Sequence, residues 1–340
     1  MRILCLYPRL IWERRVSASR RHDVEALARH PGVSLRMSGA GWPDWDDRAT
    51  GLENVRRIMP DADAVYEYKM DGTRVSGVAV PPILEHREIG RRYLVVEKMQ
   101  ECHWGDPGSV PGVAPAWQQM VDRRVGLCIL SHANDAPRLA GAERAGVAVR
   151  VIPHCAEATL FGAAKRPWGA RDIPVLLTGV VGQEHYPLRT RWAALAGRIG
   201  MAMGLPVRVH PRPPHMAADE ADARRLRGEY AELLGRAKLV LGCASKWRYA
   251  LARFPEAAAA GAVHVSDMPD DAAFRRGLGR HIMEVEAGAA DCDLIRAVVD
   301  AWDDQAGLRR RSEAAWRQWR EELTWDLWAE RFVKEVRTCL

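Results

Sequence analysis

The sequence of 340 residues predicts two α/β domains, each built from a parallel sheet with helices on both faces. Two observations predict this class. Short apolar segments typical of buried strands alternate with segments typical of helices along most of the chain. The chain is also longer than one ordinary domain, so two units of about 150 residues each are expected.

The first series of alternating elements extends to about residue 155. Helices are predicted over 21–30 and 52–59, and the strands over 2–7, 33–38, 62–69, 92–99, 125–132 and 147–154. Strands separated by helices form parallel pairs, which predicts a Rossmann-like first half.

The second series begins with the strand 172–182, followed by a helix to about residue 200, a strand over 205–211, a helix over 218–235 and a strand over 237–245. An Ala-rich helix then ends at Gly261 before a short strand over 262–265. Aromatic residues at helical spacing between 308 and 339 predict one or two packed helices. The polar segment 165–172 is the predicted linker.

Composition excludes several classes of protein. With 48% hydrophobic and 28% charged residues, the chain is an ordinary globular protein. Its seven cysteines are scattered without a CxxC pair, which predicts reduced thiols in a cytoplasmic protein. No apolar run reaches 18 residues, so no membrane span is predicted, and Pro8 and Arg9 interrupt the first apolar stretch too early for a signal peptide.

A first candidate anion site follows the strand 172–182. Gly179 and Gly182 allow close approach to the backbone, and Pro187 is a favoured first residue of a helix. Arg189 and Arg191 in the first turn of that helix would add charge-assisted hydrogen bonds. A plain tight turn explains the same glycines, so this alternative stays open.

A second candidate anion site surrounds the start of the Ala-rich helix. Ser245, Lys246, Arg248 and Arg253 cluster there, and Glu256 lies among otherwise apolar residues. A solvated basic surface is the alternative for the cations. For Glu256 the alternative is simple pairing with the helix dipole.

Residues 151–271 resemble the donor half of a GT-B glycosyltransferase, related to family 4 and to spore-maturation-type glycosyltransferase-like proteins. The resemblance lies in the order of these motifs: IPHCAEATLF, VLLTGVVG, YPLRTRW, VHPRPPH, YAELLGRAKLVLGCAS and ARFPEAAAAGAVHVSDMPDD. It implies two Rossmann-like domains facing across a cleft, with a C-terminal helix crossing back to the first. The implied acceptor-side domain is 1–155 plus the helix of about 318–340, and the donor-binding domain is 156–317.

The resemblance also implies an enzyme that moves a sugar from a nucleotide sugar to a hydroxyl acceptor. Glu256 matches the glutamate that holds the ribose hydroxyls, and Arg189, Lys246 and Arg253 would neutralise the diphosphate. The donor is expected to be a UDP- or GDP-sugar, with no other cofactor and no metal. The full set of expected donor-binding residues is Gly179, Gly182, Arg189, His210, Ser245, Lys246, Arg248, Arg253 and Glu256.

One position departs from the pattern. Retaining members carry Glu-x7-Glu, but Arg248 stands eight residues before Glu256. The stereochemical outcome therefore stays open, and an inverting enzyme would use a base from the first domain. The candidate bases are His22, placed by the sequence in a strand-to-helix loop, and Glu101 and Asp106; a surface-loop role is the alternative for each.

Two Asp-x-Asp pairs, Asp61–Asp63 and Asp291–Asp293, are interpreted as helix caps and not as metal ligands. Candidate acceptor-side residues are Trp42, Trp45, His103 and Trp104, because loop tryptophans can stack on a sugar or a base.

The first 36 residues carry eight arginines against three acidic residues. This excess allows a nucleic-acid acceptor, lipid phosphates, an anionic saccharide or a plain solvated surface, with a saccharide or small molecule ahead of nucleic acid. Two other functions stay open: a nucleotide-sugar epimerase or hydrolase, and a non-catalytic module that binds nucleotide sugars or nucleic acid.

Overall fold

The computed structural model describes residues 1–17, 19–68, 86–99, 114–211 and 213–340. The chain divides into two compact units. Unit 1 contains Met1–Pro153, His215–Ala223 and Asp326–Leu340, and unit 2 contains His154–Pro214 and Arg224–Trp325. Each unit has its own parallel sheet.

The sheet of unit 1 has the strand order β2-β1-β3-β4-β5-β6, with every pair parallel. This doubly wound order reverses between β1 and β3. The strands are β1 (Arg2–Leu6), β2 (Ser34–Ser38), β3 (Ala64–Tyr68), β4 (Leu94–Met99), β5 (Leu127–Leu130) and β6 (Ala148–Val151). The helices of this part of the chain are α1 (Arg9–Arg14), α2 (Ser19–Arg29), α3 (Gly51–Ile58), α4 (His86–Ile89), α5 (Ala116–Asp122) and α6 (Ala140–Arg144).

The sheet of unit 2 has the order β11-β10-β9-β7-β8, again parallel throughout. Its order reverses between β7 and β9, and ligands of such sheets bind at the carboxyl ends of the strands at this point. The strands are β7 (Ile173–Gly179), β8 (Val207–Pro211), β9 (Ala237–Leu241), β10 (Val263–Ser266) and β11 (Met283–Glu284). The remaining helices are α7 (Pro187–Met203), α8 (Glu220–Arg236), α9 (Arg253–Ala260), α10 (Ala272–Arg276), α11 (Asp291–Asp303), α12 (Gln305–Glu322) and α13 (Trp325–Cys339).

Alternate residues of the strands in unit 2 pack into two different hydrophobic cores. Leu176 and Val240 belong to one core, whereas Leu177 and Leu241 belong to the other. Because successive side chains of a strand point to opposite faces, both faces of this sheet are covered. The predicted alternation of strands and helices is therefore confirmed. The short helices α1, α4, α5, α6 and α10 and the two-residue strand β11 were not predicted.

The segment 165–172, predicted as the linker, lies inside unit 2. Arg171 is buried there, and its guanidinium donates to the carbonyl oxygens of Gly261 and Ala237. Burial lowers the pKa of Arg171 to about 10. The segment is thus part of the packing of unit 2, and the chain passes between the units instead at residues 153–154, 214–215, 223–224 and 325–326.

The aromatic tail is packing, as predicted. Trp319 lies in a core of unit 2, and Trp328 is buried in unit 1, where it stacks on Phe332 with ring centroids 5.0 Å apart. The Lys98 ammonium lies 4.6 Å from the centre of the Trp328 ring. Among the described residues, no helix is long and apolar enough to cross a membrane.

A buried ion pair joins β4 to α2 in unit 1. Lys98 Nζ lies 2.6 Å from Asp23 Oδ2, and each side chain is only 1% exposed. The hydroxyl of Tyr66 donates to the same carboxylate oxygen at 3.0 Å. Because both charges are buried away from water, removing one of them would leave the other without compensation. The pair is therefore a position where a single substitution would strongly destabilise the fold.

Candidate functional site

Gly179 and Arg253 meet at the carboxyl end of β7. The Arg253 guanidinium, on the first residue of α9, donates to the carbonyl oxygen of Thr178. Gly179 has φ +108°, and a Cβ at this position would overlap the guanidinium. A glycine is therefore required both by the backbone and by the close approach of Arg253. This places one predicted cation at the sheet's switch point.

Arg189 supplies a second guanidinium in the same place. It lies in the first turn of α7, which begins at Pro187 as predicted, and it is only 3% exposed. Its guanidinium stacks on the Tyr186 ring at 4.2 Å and donates to the carbonyl oxygen of Val180 at 3.4 Å. Its Nε has no hydrogen-bond partner among the residues that the structure describes.

The two guanidiniums influence each other. Burial, and then the positive charge of Arg253, lower the pKa of Arg189 to about 10, which still leaves it protonated at neutral pH. A buried cation, Arg189, beside a half-buried one, Arg253, and an unused N–H group make a site that favours an anion. We call Gly179, Arg189 and Arg253 the guanidinium cradle.

Glu256 belongs to the same cluster. Its Oε2 accepts a hydrogen bond from the Tyr230 hydroxyl at 3.1 Å. Burial disfavours the charge on Arg253, but Tyr230 and Glu256 outweigh burial and raise the pKa of Arg253. Burial, and then the charge of Glu256, raise the pKa of Tyr230 despite the nearby arginines. Glu256 is thus coupled to the cradle, beyond any interaction with the dipole of α9.

The other predicted donor-binding cations are held elsewhere. Lys246 Nζ pairs with Glu184 Oε1 at 2.5 Å on the surface. Arg191 donates to the carbonyl oxygens of Ala287 and Ala289 and to Asp291, so it joins α7 to α11 and does not extend the cradle. Arg248 lies near Asp267, in the loop after β9.

Gly182 and His210 lie at the edge of this region. Gly182 has φ +76°, and its N–H donates to Thr190 Oγ1 at 3.0 Å, so this amide is already used within the protein. His210 lies in register with Thr178 across β7 and β8. Burial, and then Arg208, lower the pKa of His210.

His264 is a buried neighbour of the cradle that sequence reasoning missed. Its Nε2 lies 3.1 Å from the carbonyl oxygen of Arg253, so the imidazole supports the first turn of α9. Burial lowers the pKa of His264 to about 4, and the charges of Arg253 and Arg189 act in the same direction. The sequence VHVS marks it only as one polar residue of a buried strand.

We expect His264 to make the protein acid-sensitive. The unfolded chain binds a proton at this histidine below pH about 6.5, whereas the folded protein binds it only near pH 4, so the free energy of unfolding falls as the pH drops through this window. The loss reaches about 3 kcal/mol at pH 4. Urea unfolding of the wild type and of His264→Asn at pH 7, 5.5 and 4.5 measures it. An equally steep pH dependence in the variant would contradict this role.

The residues predicted as catalytic bases on the acceptor side have less support from the structure. His22 lies within α2 and not in a loop, and its ring is buried, with Nδ1 3.3 Å from Glu25 Oε2. Burial disfavours the charge of Glu25, but His22 and Arg21 outweigh it and lower the pKa of Glu25 to about 2. The remaining predicted bases and their neighbours lie outside the described residues: Glu101, His103, Trp104 and Asp106.

The two other predicted tryptophans are both tied to unit 1. Trp42 donates its Nε1–H to the carbonyl oxygen of Tyr7 at 2.7 Å, just beyond β1. Trp45 packs against the hydrophobic core of unit 1. Trp45 therefore has a packing role, whereas Trp42 lies at the carboxyl edge of the sheet.

The arginine excess near the amino terminus is partly offset by carboxylates from other parts of unit 1. Folding brings distant carboxylates next to Arg2, Arg29 and Arg36, whereas Arg9 and Arg21 pair with glutamates four residues further along the chain. The distant carboxylates neutralise part of the excess counted along the sequence. These pairs are Arg2–Asp61, Arg9–Glu13, Arg21–Glu25, Arg29–Asp326 and Arg36–Asp44.

No group of three or more His, Cys, Asp or Glu side chains suited to a metal ion occurs among the described residues. Asp61 and Asp63 bind Arg2, so the interpretation of this pair as a helix cap is wrong. Asp291 and Asp293 lie in the first turn of α11, where Asp291 binds Arg191.

Comparison with profiles of known protein families finds no match, and neither does comparison with curated proteins. Solved structures do match the chain. A glycosyltransferase from Rickettsia africae is 10% identical with a TM-score of 0.64, covering 99% of this chain and 98% of its own. An α-glucosyltransferase in complex with UDP-glucose and DNA containing an abasic site gives the same identity and score, with 99% of both chains covered. Anabaena HepE in complex with UDP and glucose is 13% identical, with a TM-score of 0.59 over both full chains.

Full-length matches to glycosyltransferases, together with two Rossmann-like sheets, identify the architecture predicted from the sequence. The chain has the GT-B fold.

Proposed function

We propose that this protein is a glycosyltransferase that transfers a sugar from a nucleotide sugar to a hydroxyl acceptor. The observation that carries the proposal is the pair of adjacent guanidiniums, Arg189 and Arg253, at the switch point of unit 2. The two cations, one buried and one half-buried, match the two charges of a diphosphate. Two of the solved structures named above are complexes with UDP-glucose or with UDP and glucose, which supports a nucleotide-sugar donor.

In the proposed reaction, the bond between the anomeric carbon and the diphosphate oxygen breaks, and a bond from that carbon to the acceptor oxygen forms. The electron pair of the broken bond stays on the diphosphate, and the proton of the acceptor hydroxyl passes to the leaving diphosphate or to water. Arg189 and Arg253 stabilise the charge that develops on the leaving diphosphate, because they are already fixed in a partly buried site. Since these side chains supply positive charge, we propose that the transfer needs no metal ion.

Measuring turnover with and without an acceptor distinguishes glycosyl transfer from hydrolysis and from binding without catalysis. The protein is incubated with UDP-glucose, UDP-galactose, UDP-N-acetylglucosamine and GDP-mannose, with and without mixed saccharide acceptors, in the presence of EDTA. The proposal expects nucleoside diphosphate to be released faster when an acceptor is present. Release independent of any saccharide would indicate a hydrolase, and binding without release would indicate a non-catalytic module.

Activity that appears only without EDTA would overturn metal independence. A DNA acceptor with hydroxymethylated bases is tested in parallel.

We further propose that Glu256 binds the ribose hydroxyls of the nucleotide. Its carboxylate accepts a hydrogen bond from the Tyr230 hydroxyl and is partly exposed, and a carboxylate is the kind of group that accepts hydrogen bonds from both hydroxyls of a diol. Glu256→Gln should weaken UDP binding at least about tenfold, because a hydrogen bond to a charged group contributes on the order of 1.5–3 kcal/mol. Calorimetric titration with UDP and 2′-deoxy-UDP measures the loss, and the variant should discriminate much less between them.

Tyr230→Phe is the matched control for Glu256. It removes the phenol from the carboxylate but leaves the carboxylate itself, so discrimination between UDP and 2′-deoxy-UDP should survive. If Glu256→Gln keeps full ribose discrimination and only lowers the melting temperature, the carboxylate acts through the helix dipole and the assignment is wrong.

A further inference from the structure

Helix α12 and the segment before it carry arginines that have no acidic partner. Between residues 272 and 322 the chain contains nine arginines and no lysine. Arg275 pairs with Asp270, and Arg296 pairs with Asp293. The other arginines of this segment form no ion pair with any residue that the structure describes: Arg276, Arg280, Arg309, Arg310, Arg311, Arg317 and Arg320.

The fold of unit 2 brings four of these arginines together. Arg310 and Arg317 are exposed, and they lie two turns, about 10 Å, apart on the same side of α12. Arg311 donates from Nη1 to the carbonyl oxygen of Arg280 at 3.4 Å, in the short helical turn Leu278–His281. We call Arg280, Arg310, Arg311 and Arg317 the arginine face.

The charges of the arginine face act together on a neighbouring histidine. Burial lowers the pKa of His281, and the positive charges of Arg280, Arg311 and Arg317 lower it further. Three of the four arginines thus contribute to one region of positive potential.

The carboxylates of α12 do not neutralise the arginine face. Glu313 pairs instead with Lys165, with 3.2 Å between its Oε2 and the ammonium. Glu321 and Glu322 lie in the last turn of the helix, and neither forms an ion pair with a residue that the structure describes. The arginine face is therefore a concentration of positive charge that attracts a polyanion.

A cavity of about 390 Å³ lies beside α12, also within unit 2. The indole rings of Trp316 and Trp319 line it with their centres 6.5 Å apart, and the Arg320 guanidinium lies 5.4 Å from the centre of the Trp316 ring. Gly162 also lines the cavity, in a π-helical turn of a kind frequent at functional sites, and a Cβ there would overlap the Trp319 ring. A planar nucleobase suits a cavity bounded by aromatic rings and a guanidinium.

The composition of this surface favours nucleic acid over a membrane. A guanidinium forms paired hydrogen bonds with a phosphate, whereas an ammonium acts as a point charge, and the segment uses arginine alone. Binding in a membrane interface also needs exposed apolar side chains. None of the large exposed hydrophobic residues of the described chain lies between 272 and 322; they are Val151, Val181, Met201, Val209 and Leu340.

We infer that α12 binds single-stranded nucleic acid, with the arginine face on neighbouring phosphates and one unstacked base in the cavity beside Trp316. Arg320 lies three residues after Arg317 and therefore connects the two parts along the helix. Neither part includes a residue of the guanidinium cradle, so binding of nucleic acid is independent of the proposed transfer reaction.

The arginine face is tested by the double variant Arg310→Gln, Arg317→Gln. Fluorescence anisotropy measures the binding of a labelled oligodeoxythymidine of about 20 nucleotides at salt concentrations from about 50 to 200 mM. Because each lost phosphate contact releases fewer counterions, we expect the slope of log affinity against log salt to become shallower by about 1.4, and the affinity to fall about tenfold.

The double variant Arg198→Gln, Arg225→Gln is the matched control. It removes the same charge from exposed arginines of unit 2 that are paired with Asp291 and Glu229. It should change the affinity less than about twofold and leave the salt slope unchanged. Equal losses in the two double variants would overturn the inference.

The cavity is tested separately by Ala158→Leu, which fills it from an exposed position and removes no charge. The wild type should bind the single strand more tightly than a duplex of the same length, and Ala158→Leu should lose about tenfold in single-strand affinity with its salt slope unchanged. An unchanged single-strand affinity in this variant would overturn the base site.

Three further results would overturn the inference. They are equal affinity of the wild type for single strand and duplex, equal competition by polyglutamate of the same charge, and binding to phosphatidylserine vesicles without binding to the oligonucleotide. The affinity of the Arg310→Gln, Arg317→Gln variant for UDP, measured by calorimetry, should equal that of the wild type. Failure to bind the oligonucleotide would leave the proposed function standing, whereas failure to bind any nucleotide would leave the arginine face to be judged by its own test.

Discussion

Gly179→Ala should weaken UDP binding by about 10- to 100-fold, without removing a single charge from the protein. A Cβ at this position overlaps the Arg253 guanidinium, which must then leave the carbonyl oxygen of Thr178 and the end of β7. The loss corresponds to one charge-assisted interaction with phosphate, on the order of 1.5–3 kcal/mol. Isothermal titration with UDP and with uridine measures the effect, and the affinity for uridine should change little.

Gly182→Ala is the control for backbone strain. Gly182 also has a positive φ, +76°, but no atom lies near the position of an added Cβ. Both variants should lose stability by about 1–2 kcal/mol, because a side chain is unfavourable in left-handed backbone. Only Gly179→Ala should lose UDP affinity. Equal losses in the two variants would show that loop strain, and not the position of Arg253, controls binding.

Lys98→Met should lower the free energy of unfolding by about 3–5 kcal/mol, since it leaves the Asp23 carboxylate buried without its cation. The Tyr66 hydroxyl remains as a hydrogen-bond donor but carries no charge to balance the carboxylate. The midpoint of urea unfolding at pH 7 measures the loss. Lys98→Met also removes the cation from the face of Trp328, so the expected change is near the upper part of this range.

The double variant Asp23→Asn, Lys98→Met separates charge from packing. Because neither partner is then ionised, the double variant should recover most of the stability that Lys98→Met loses. If it is as unstable as the single variant, the loss comes from packing around Trp328 and not from an unpaired charge. If Lys98→Met alone unfolds at the wild-type midpoint, the buried pair does not contribute as we expect.

The sequence by itself determined the architecture and the segments that build the cradle. The period and length of the apolar runs predicted β7, which ends at Gly179, and β9, because these signals depend only on neighbouring residues. The helix starting near Arg253 followed from the Ala-rich run that ends at Gly261, and the positive φ of Gly261 is what such a helix end requires. The motif order then indicated glycosyl transfer.

Only the tertiary structure decided which charges are available. Local spacing placed Arg189 and Arg191 in one candidate anion site, and Arg189, Lys246 and Arg253 were the expected ligands of the diphosphate. The fold instead joins Arg191 to Asp291 and Lys246 to Glu184, while Arg189 keeps an unused Nε. Pairings of this kind depend on which distant elements pack together, so no local pattern contains them.

The same reason explains what sequence reasoning missed elsewhere. His264 becomes a support of α9 because β10 carries it beneath Arg253, and Arg29 is paired with Asp326, almost 300 residues away, because α13 packs on unit 1. His22 was placed at the end of a strand-to-helix loop because the helix was predicted to begin only at about residue 21, whereas α2 begins at Ser19. The charge counted along a sequence is only the sum of its ionised groups. The charge of the folded surface depends on which of those groups form ion pairs with one another.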